Sequence, residues 1–169
     1  PDAESVALAW RFPGLASKDF EVLQVVSQVL YNGKAGLIDL DLNQQQKVLN
    51  SYGYPMGLAD YSAFILGGLP KQGQTLEEVK DLLLNEIKKL RAGEFDEKML
   101  QANINNFKLY ELQSMESNEG RADIFVNSFI NGTNWEDEVT AIDRMAKLTK
   151  EDIVAFADKY LKEDNYAVI

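Results

Sequence analysis

VLNSYGYPMGLADYSAFILGGL, residues 48–69, decides the fold class. Val48 to Tyr54 and Tyr61 to Leu69 are rich in tyrosine and β-branched or bulky apolar residues, and both read as extended. Between them, Tyr54-Pro55-Met56-Gly57 and Asp60 supply turn chemistry. The two runs therefore predict an antiparallel pair of strands joined by a loop. Gly67-Gly68 weakens the end of the second strand and permits close backbone approach there.

Toward the N-terminus, Ser5 to Phe12 alternates strictly. Val6, Leu8, Trp10 and Phe12 fall on one face, and Ala7, Ala9 and Arg11 on the other. This predicts a strand with one large-residue face, ended by Pro13-Gly14. Ser17 can cap a helix whose apolar positions include Phe20, Leu23, Val26, Val29 and Leu30. Asn32-Gly33 stops it, because both residue types accept the left-handed conformation that a helix end needs. A shorter second helix is expected over about residues 35–46.

Toward the C-terminus the pattern turns helical. Thr75-Leu-Glu-Glu78 is a capping box, and Leu76, Val79, Leu83, Ile87 and Leu90 make a core stripe that ends at Gly93. Further helices are expected from Asp96 over about 97–116, then over Glu119–Ile130 with Asn131-Gly132 as the stop, and over Trp135–Ala146. A last helix opens at a second capping box, Thr149-Lys-Glu-Asp152. Asn165 to Ile169 reads as a strand that joins the sheet from far away in sequence. Helices gathered on one face of a mainly antiparallel sheet make an α+β, two-layer fold. Its 169 residues fit one domain, 1–169. A start at Pro1 with no Met suggests a piece of a longer chain.

Composition narrows the chemistry. Seventeen Lys and Arg stand against 27 Asp and Glu, a net charge of −10, which argues against a nucleic-acid or anionic-membrane partner. No apolar run is long enough for a membrane span. There is no cysteine and no histidine, so disulfides, thiol catalysis, a Ser-His-Asp triad and a histidine-based zinc site are excluded.

The stretch from Tyr31 to Lys47 holds the remaining ligand-like motifs. Gly33-Lys34-Ala35 lacks the Ser or Thr and the upstream Gly of a phosphate loop. Asp39, Asp41 and Asn43 match the first three ligand positions of an EF-hand. The turn glycine is replaced by Gln44 and the bidentate glutamate by Asn50, so a solvated helix face is the better reading. Glu116, Glu119 and Glu136-Asp137-Glu138 suit the helix dipole better than a carboxylate metal site. Asn131-Gly132-Thr133 fits a glycosylation acceptor, though a helix-ending turn accounts for it as well. Tyr52, Tyr54 and Tyr61 read as strand packing rather than a ligand platform. The residues alone thus show no catalytic constellation. They leave a non-catalytic domain of a larger enzyme, or a binding or structural module.

Several stretches in order resemble the insulinase–pitrilysin family of zinc metallopeptidases, which includes the mitochondrial processing peptidases. They are Ser27-Gln-Val-Leu-Tyr-Asn-Gly33, Glu116-Ser-Asn-Glu-Gly-Arg-Ala-Asp-Ile-Phe125 with Phe129-Ile-Asn-Gly132, Asp143-Arg-Met-Ala-Lys-Leu-Thr-Lys-Glu-Asp152, Phe156-Ala-Asp-Lys-Tyr-Leu161 and Asn165-Tyr-Ala-Val-Ile169. On that resemblance, 31–47 is the connection between two core helices.

The family repeats one α+β unit, and the zinc-bearing unit carries His-x-x-Glu-His on a helix. A chain without histidine resembles the partner unit, with no cofactor of its own and zinc in a neighbouring catalytic domain of the same polypeptide. The resemblance implies unfolded peptides as substrates of the parent enzyme. It also implies a role for this domain in enclosing a peptide-binding chamber. Some partner units place an Arg and a Tyr, seven residues apart, near the substrate. The matching positions here are Asn43 and Asn50, which lack the charge and the phenol. The alternative is a catalytically inactive scaffold or core subunit of the same fold, as in respiratory complexes. A third reading is an independent module for basic peptides. Many bacterial relatives are exported, so an envelope location follows from the resemblance alone.

Overall fold

The structure is a computed structural model and describes residues 4–169. Strand β1 (Val6–Pro13) leads to helix α1 (Lys18–Leu30), and a π-helical turn (Asp39–Asn43) precedes β2 (Asn50–Met56) and β3 (Tyr61–Leu69). Five helices follow: α2 (Leu76–Arg91), α3 (Glu97–Glu116), α4 (Asn118–Asn131), α5 (Trp135–Met145) and α6 (Lys150–Tyr160). The chain closes with β4 (Ala167–Val168).

The four strands form one sheet in the order β2-β3-β1-β4, antiparallel throughout. The expected hairpin is β2–β3, in register from Asn50 opposite Leu69 to Met56 opposite Ala63. The closing segment does return to β1, through Ala9–Ala167 and Leu8–Val168. Only two of its five residues take strand geometry. Ile169 beyond them still exchanges two backbone hydrogen bonds with Ala7, both at 2.9 Å, while the residues before them leave a turn after α6, where Trp10 Nε1 donates to the carbonyl of Lys162 at 3.2 Å.

Alternation in β1 sets the inner face. Val6, Leu8, Trp10 and Phe12 are buried with Phe64 and Leu66 of β3. Helices α1, α2 and α6 cover that face. Phe12 packs on Phe156 and Tyr160 of α6, ring centroids 5.8 and 4.8 Å apart. Helix α3 lies on α1, and α5 touches both, so the helical layer is itself two tiers deep on one side.

Local chemistry sets most element ends. Ser17 caps α1, Thr75 and Thr149 form complete capping boxes, and Gly132 ends α4 in the left-handed conformation at φ 64°. The expected helix over 35–46 is the main departure. Only Leu37 and Ile38 are α-helical before the chain widens into the π turn, because the side chains of that segment are committed elsewhere.

Candidate functional site

The stretch from Tyr31 to Lys47 is held by its own side chains. Asn32 Oδ1 accepts from the N–H groups of Lys34 and Ala35 at 3.0 and 2.8 Å. Asp39, only 3% exposed, accepts from the N–H groups of Asn32 and Gly36, both at 3.0 Å. That satisfies two backbone donors in the loop that leads into the short helical turn, and these two bonds to Oδ2 offset the burial of the carboxylate.

The three side chains of the EF-hand pattern diverge. Asp39 turns back on the loop, and Asp41 meets Lys89 Nζ of α2 at 2.6 Å. Asn43 binds Ser51, so no calcium cage forms. Among the described residues, no three His, Cys, Asp or Glu side chains come together in a way that could hold a metal.

Asn43 and Asn50 come close together through Ser51. Asn43 Nδ2 donates to the Ser51 carbonyl, and Asn43 Oδ1 accepts from the Ser51 N–H and hydroxyl, all at 2.8 Å. These bonds tie the π turn to the start of β2. Ser51 faces the core. By strand alternation, its neighbour Asn50 faces the other side of the sheet, where it is exposed.

That other side is the open face of the sheet. Asn50, Tyr52, Tyr54 and Met56 of β2 share it with Tyr61, Ala63 and Ile65 of β3 and with Ala7, Ala9 and Arg11 of β1. The rings of Tyr52 and Tyr54 stack at 6.2 Å, and the Arg11 guanidinium lies 3.5 Å over the ring of Tyr61. Tyr52 rests on Gly67, where an added Cβ would stand 2.4 Å from the ring. Tyr54 and Tyr61 are about half exposed, at 46% and 55%. The tyrosines thus pack along the strands, as the sequence indicates. They also present polarisable rings and phenols to whatever meets this face. Strand β2 is an edge strand, and Pro55 removes one donor from its edge.

One titratable cluster escaped the sequence reading. Glu86 of α2 is 1% exposed, and its Oε1 accepts from Lys89 Nζ at 2.9 Å. Its Oε2 has no partner. Burial pushes the Glu86 carboxyl above the usual range against the pull of Lys89, and the nearby charge of Asp41 adds to the rise. Asp41 is held below its usual range, chiefly by its hydrogen bond with Lys89. The signal was available, since position 86 falls inside the buried stripe Val79, Leu83, Ile87 and Leu90. The cluster fastens α2 to the π turn and offers no nucleophile.

Fold and residues together define an α+β domain with no histidine or cysteine to hold a metal and with one open, tyrosine-bearing sheet face. The family model described as the Peptidase M16 inactive domain matches residues 1–107, and the chain belongs to that family. The resemblance read from the sequence is therefore borne out. The zinc protease PqqE of Helicobacter pylori is 27% identical over 165 residues, covering 95% of this chain and 36% of that protein. The chain thus spans about a third of the curated relative.

Two crystal structures share the fold. A protease from Helicobacter pylori superposes with a TM-score of 0.89 at 21% identity, over 97% of this chain and 40% of that one. The inactive peptidase domain of a protein from Bordetella parapertussis gives 0.83 at 17%, over 100% of this chain and 93% of that one.

Proposed function

We propose that residues 1–169 form one non-catalytic companion domain of a zinc-dependent endopeptidase. It packs beside the zinc-bearing domain of the same polypeptide and helps wall a chamber that takes unfolded peptides. The observation that carries this reading is the family match over residues 1–107, in a chain without a single histidine.

The open sheet face is the wall. It offers stacked tyrosines, small alanines between them and the exposed side chain of Asn50, a surface on which extended chains of varied sequence can lie. Asn50 contacts peptide from this face. Asn43 does so only where it gives up part of its bonding to Ser51, so its main contribution is to hold β2 in place. Zinc and the general base belong to the neighbouring domain.

The test has two readings. Metal analysis and peptide hydrolysis on the purified 169-residue chain should give no bound zinc and no cleavage; about one zinc per chain with hydrolysis overturns the proposal. The reading frame around the segment should encode an intact His-x-x-Glu-His within roughly one or two domain lengths, ~100–200 residues each. A neighbouring unit with those ligands replaced favours the scaffold reading instead.

A further inference from the structure

On the helical layer, away from the open sheet face, α1, α3, α4 and α5 enclose a groove of about 580 Å³. That volume is in the range of specific ligand sites. Its floor is apolar, with Phe107, Ile142 and Met145, and its rim carries four carboxylates: Glu21, Glu111, Asp137 and Glu138.

Three of the four are engaged. Glu21 pairs with Arg144 and Asp137 with Lys18, both at 2.5 Å. Glu138 accepts from the Thr133 hydroxyl at 2.5 Å. Among the described residues, Glu111 has neither an ion pair nor a hydrogen bond to its carboxylate. Burial, with Asp143 nearby, raises its pKa above the usual range. Beside it on the rim stands Tyr110, 66% exposed.

We propose that this groove binds a short extended peptide carrying a basic residue next to a bulky apolar one. The cation pairs with Glu111 and lies against the ring of Tyr110, a favourable site for Arg or Lys. The apolar neighbour fills the floor over Phe107, Ile142 and Met145. An anion meets the uncompensated carboxylate of Glu111, since Lys18 and Arg144 are taken up by Asp137 and Glu21, and a purely apolar ligand leaves Glu111 partly desolvated and unpaired. A polyamine supplies the charge but nothing bulky for the floor. The site needs no chamber and no neighbouring domain, so it stands apart from the function proposed above.

The experiment is fluorescence anisotropy of labelled Leu-Arg-Leu-Arg-Leu-Arg with the 169-residue chain, with circular dichroism confirming that each variant is folded. Glu111→Gln should weaken binding about threefold and Glu111→Lys about tenfold. Tyr110→Ala, at a position that contributes little to the core, should weaken it as well. Glu97→Lys makes the same charge change at the start of α3, outside the groove, and should leave the affinity unchanged. Replacing each Leu of the peptide by Ser should abolish saturable binding. Equal loss in Glu97→Lys and Glu111→Lys, unchanged binding in Glu111→Lys, or full displacement by spermine at matched concentration would each overturn the proposal.

Discussion

A Cβ built on Gly68 would stand 2.5 Å from Cγ1 of Val79, so β3 and α2 meet through bare backbone at the end of the hairpin. On the opposite face, Tyr52 occupies the space above Gly67 in the same way. The Gly-Gly pair thus lets one strand be approached from both sides. Gly68→Ala must push α2 outward and should cost about 1–3 kcal/mol, the usual range for overpacking. Denaturant unfolding measures it, and a second change, Val79→Ala, should recover part of the loss relative to Val79→Ala alone. If the two effects simply add, the close approach is not what makes glycine necessary.

The readable parts of this fold are those whose signals are local. Alternation in Val6–Phe12, the capping boxes at Thr75 and Thr149, and the left-handed glycine at Gly132 all act within a few residues, and each appears where the sequence puts it. The segment over 35–46 misleads because its polar side chains serve distant or backbone partners. Asp41 bonds to Lys89, 48 residues away, and Asn43 bonds to Ser51 across a turn. Periodicity carries no trace of either bond. The open face was half legible: alternation put Ala7, Ala9 and Arg11 on one side of β1, but which side stayed uncovered depended on where α1, α2 and α6 docked. The groove was not legible, since it needs α1 beside α3 and α5.

Asn43 offers a test of structural against contact roles. Asn43→Ala removes three hydrogen bonds and leaves Ser51 groups in the core unpaired, which should cost about 1–3 kcal/mol. Asn50→Ala removes an exposed side chain and should stay within about 0.5 kcal/mol of the parent. Thermal unfolding of the two variants separates them. Equal stability for both would mean that the bonding of Asn43 to Ser51 adds nothing net.

The open face should tolerate change without unfolding. Tyr54 and Met56 are 46% and 40% exposed, so Tyr54→Ser with Met56→Ser should shift stability by no more than about 1 kcal/mol in total. Under the function proposed above, the same pair placed in the full-length protein should raise KM for an unfolded peptide substrate while leaving kcat near its original value, because the lost contacts are the same in ground and transition states. A fall in kcat with KM unchanged would contradict a wall that only holds substrate.

The carboxyl pair Glu86 and Asp41 pulls stability in opposite directions with pH. The carboxyl of Glu86 is raised above its ordinary value of 4.5, so the folded state holds that proton more tightly than the unfolded chain does. Its favourable contribution is complete below pH 4.5 and is lost as pH rises through the higher folded value. Asp41 is lowered below 3.8, so its contribution is present above that value and is lost as pH falls through the lower folded one. Glu86→Gln removes the first effect and keeps Asp41 and Lys89 together. The stability of this variant relative to the parent should therefore climb with pH, starting near pH 4.5, with a slope no steeper than about 1.4 kcal/mol per pH unit. It should level off once Glu86 is ionised in the folded parent. Any constant offset from the lost bond to Lys89 moves the whole curve without changing its shape. Denaturant unfolding of both proteins from pH 4 to pH 8 gives that curve. A flat difference would mean that Glu86 takes up its proton at the same pH folded and unfolded, and that the bonds from Lys89 fully offset its burial.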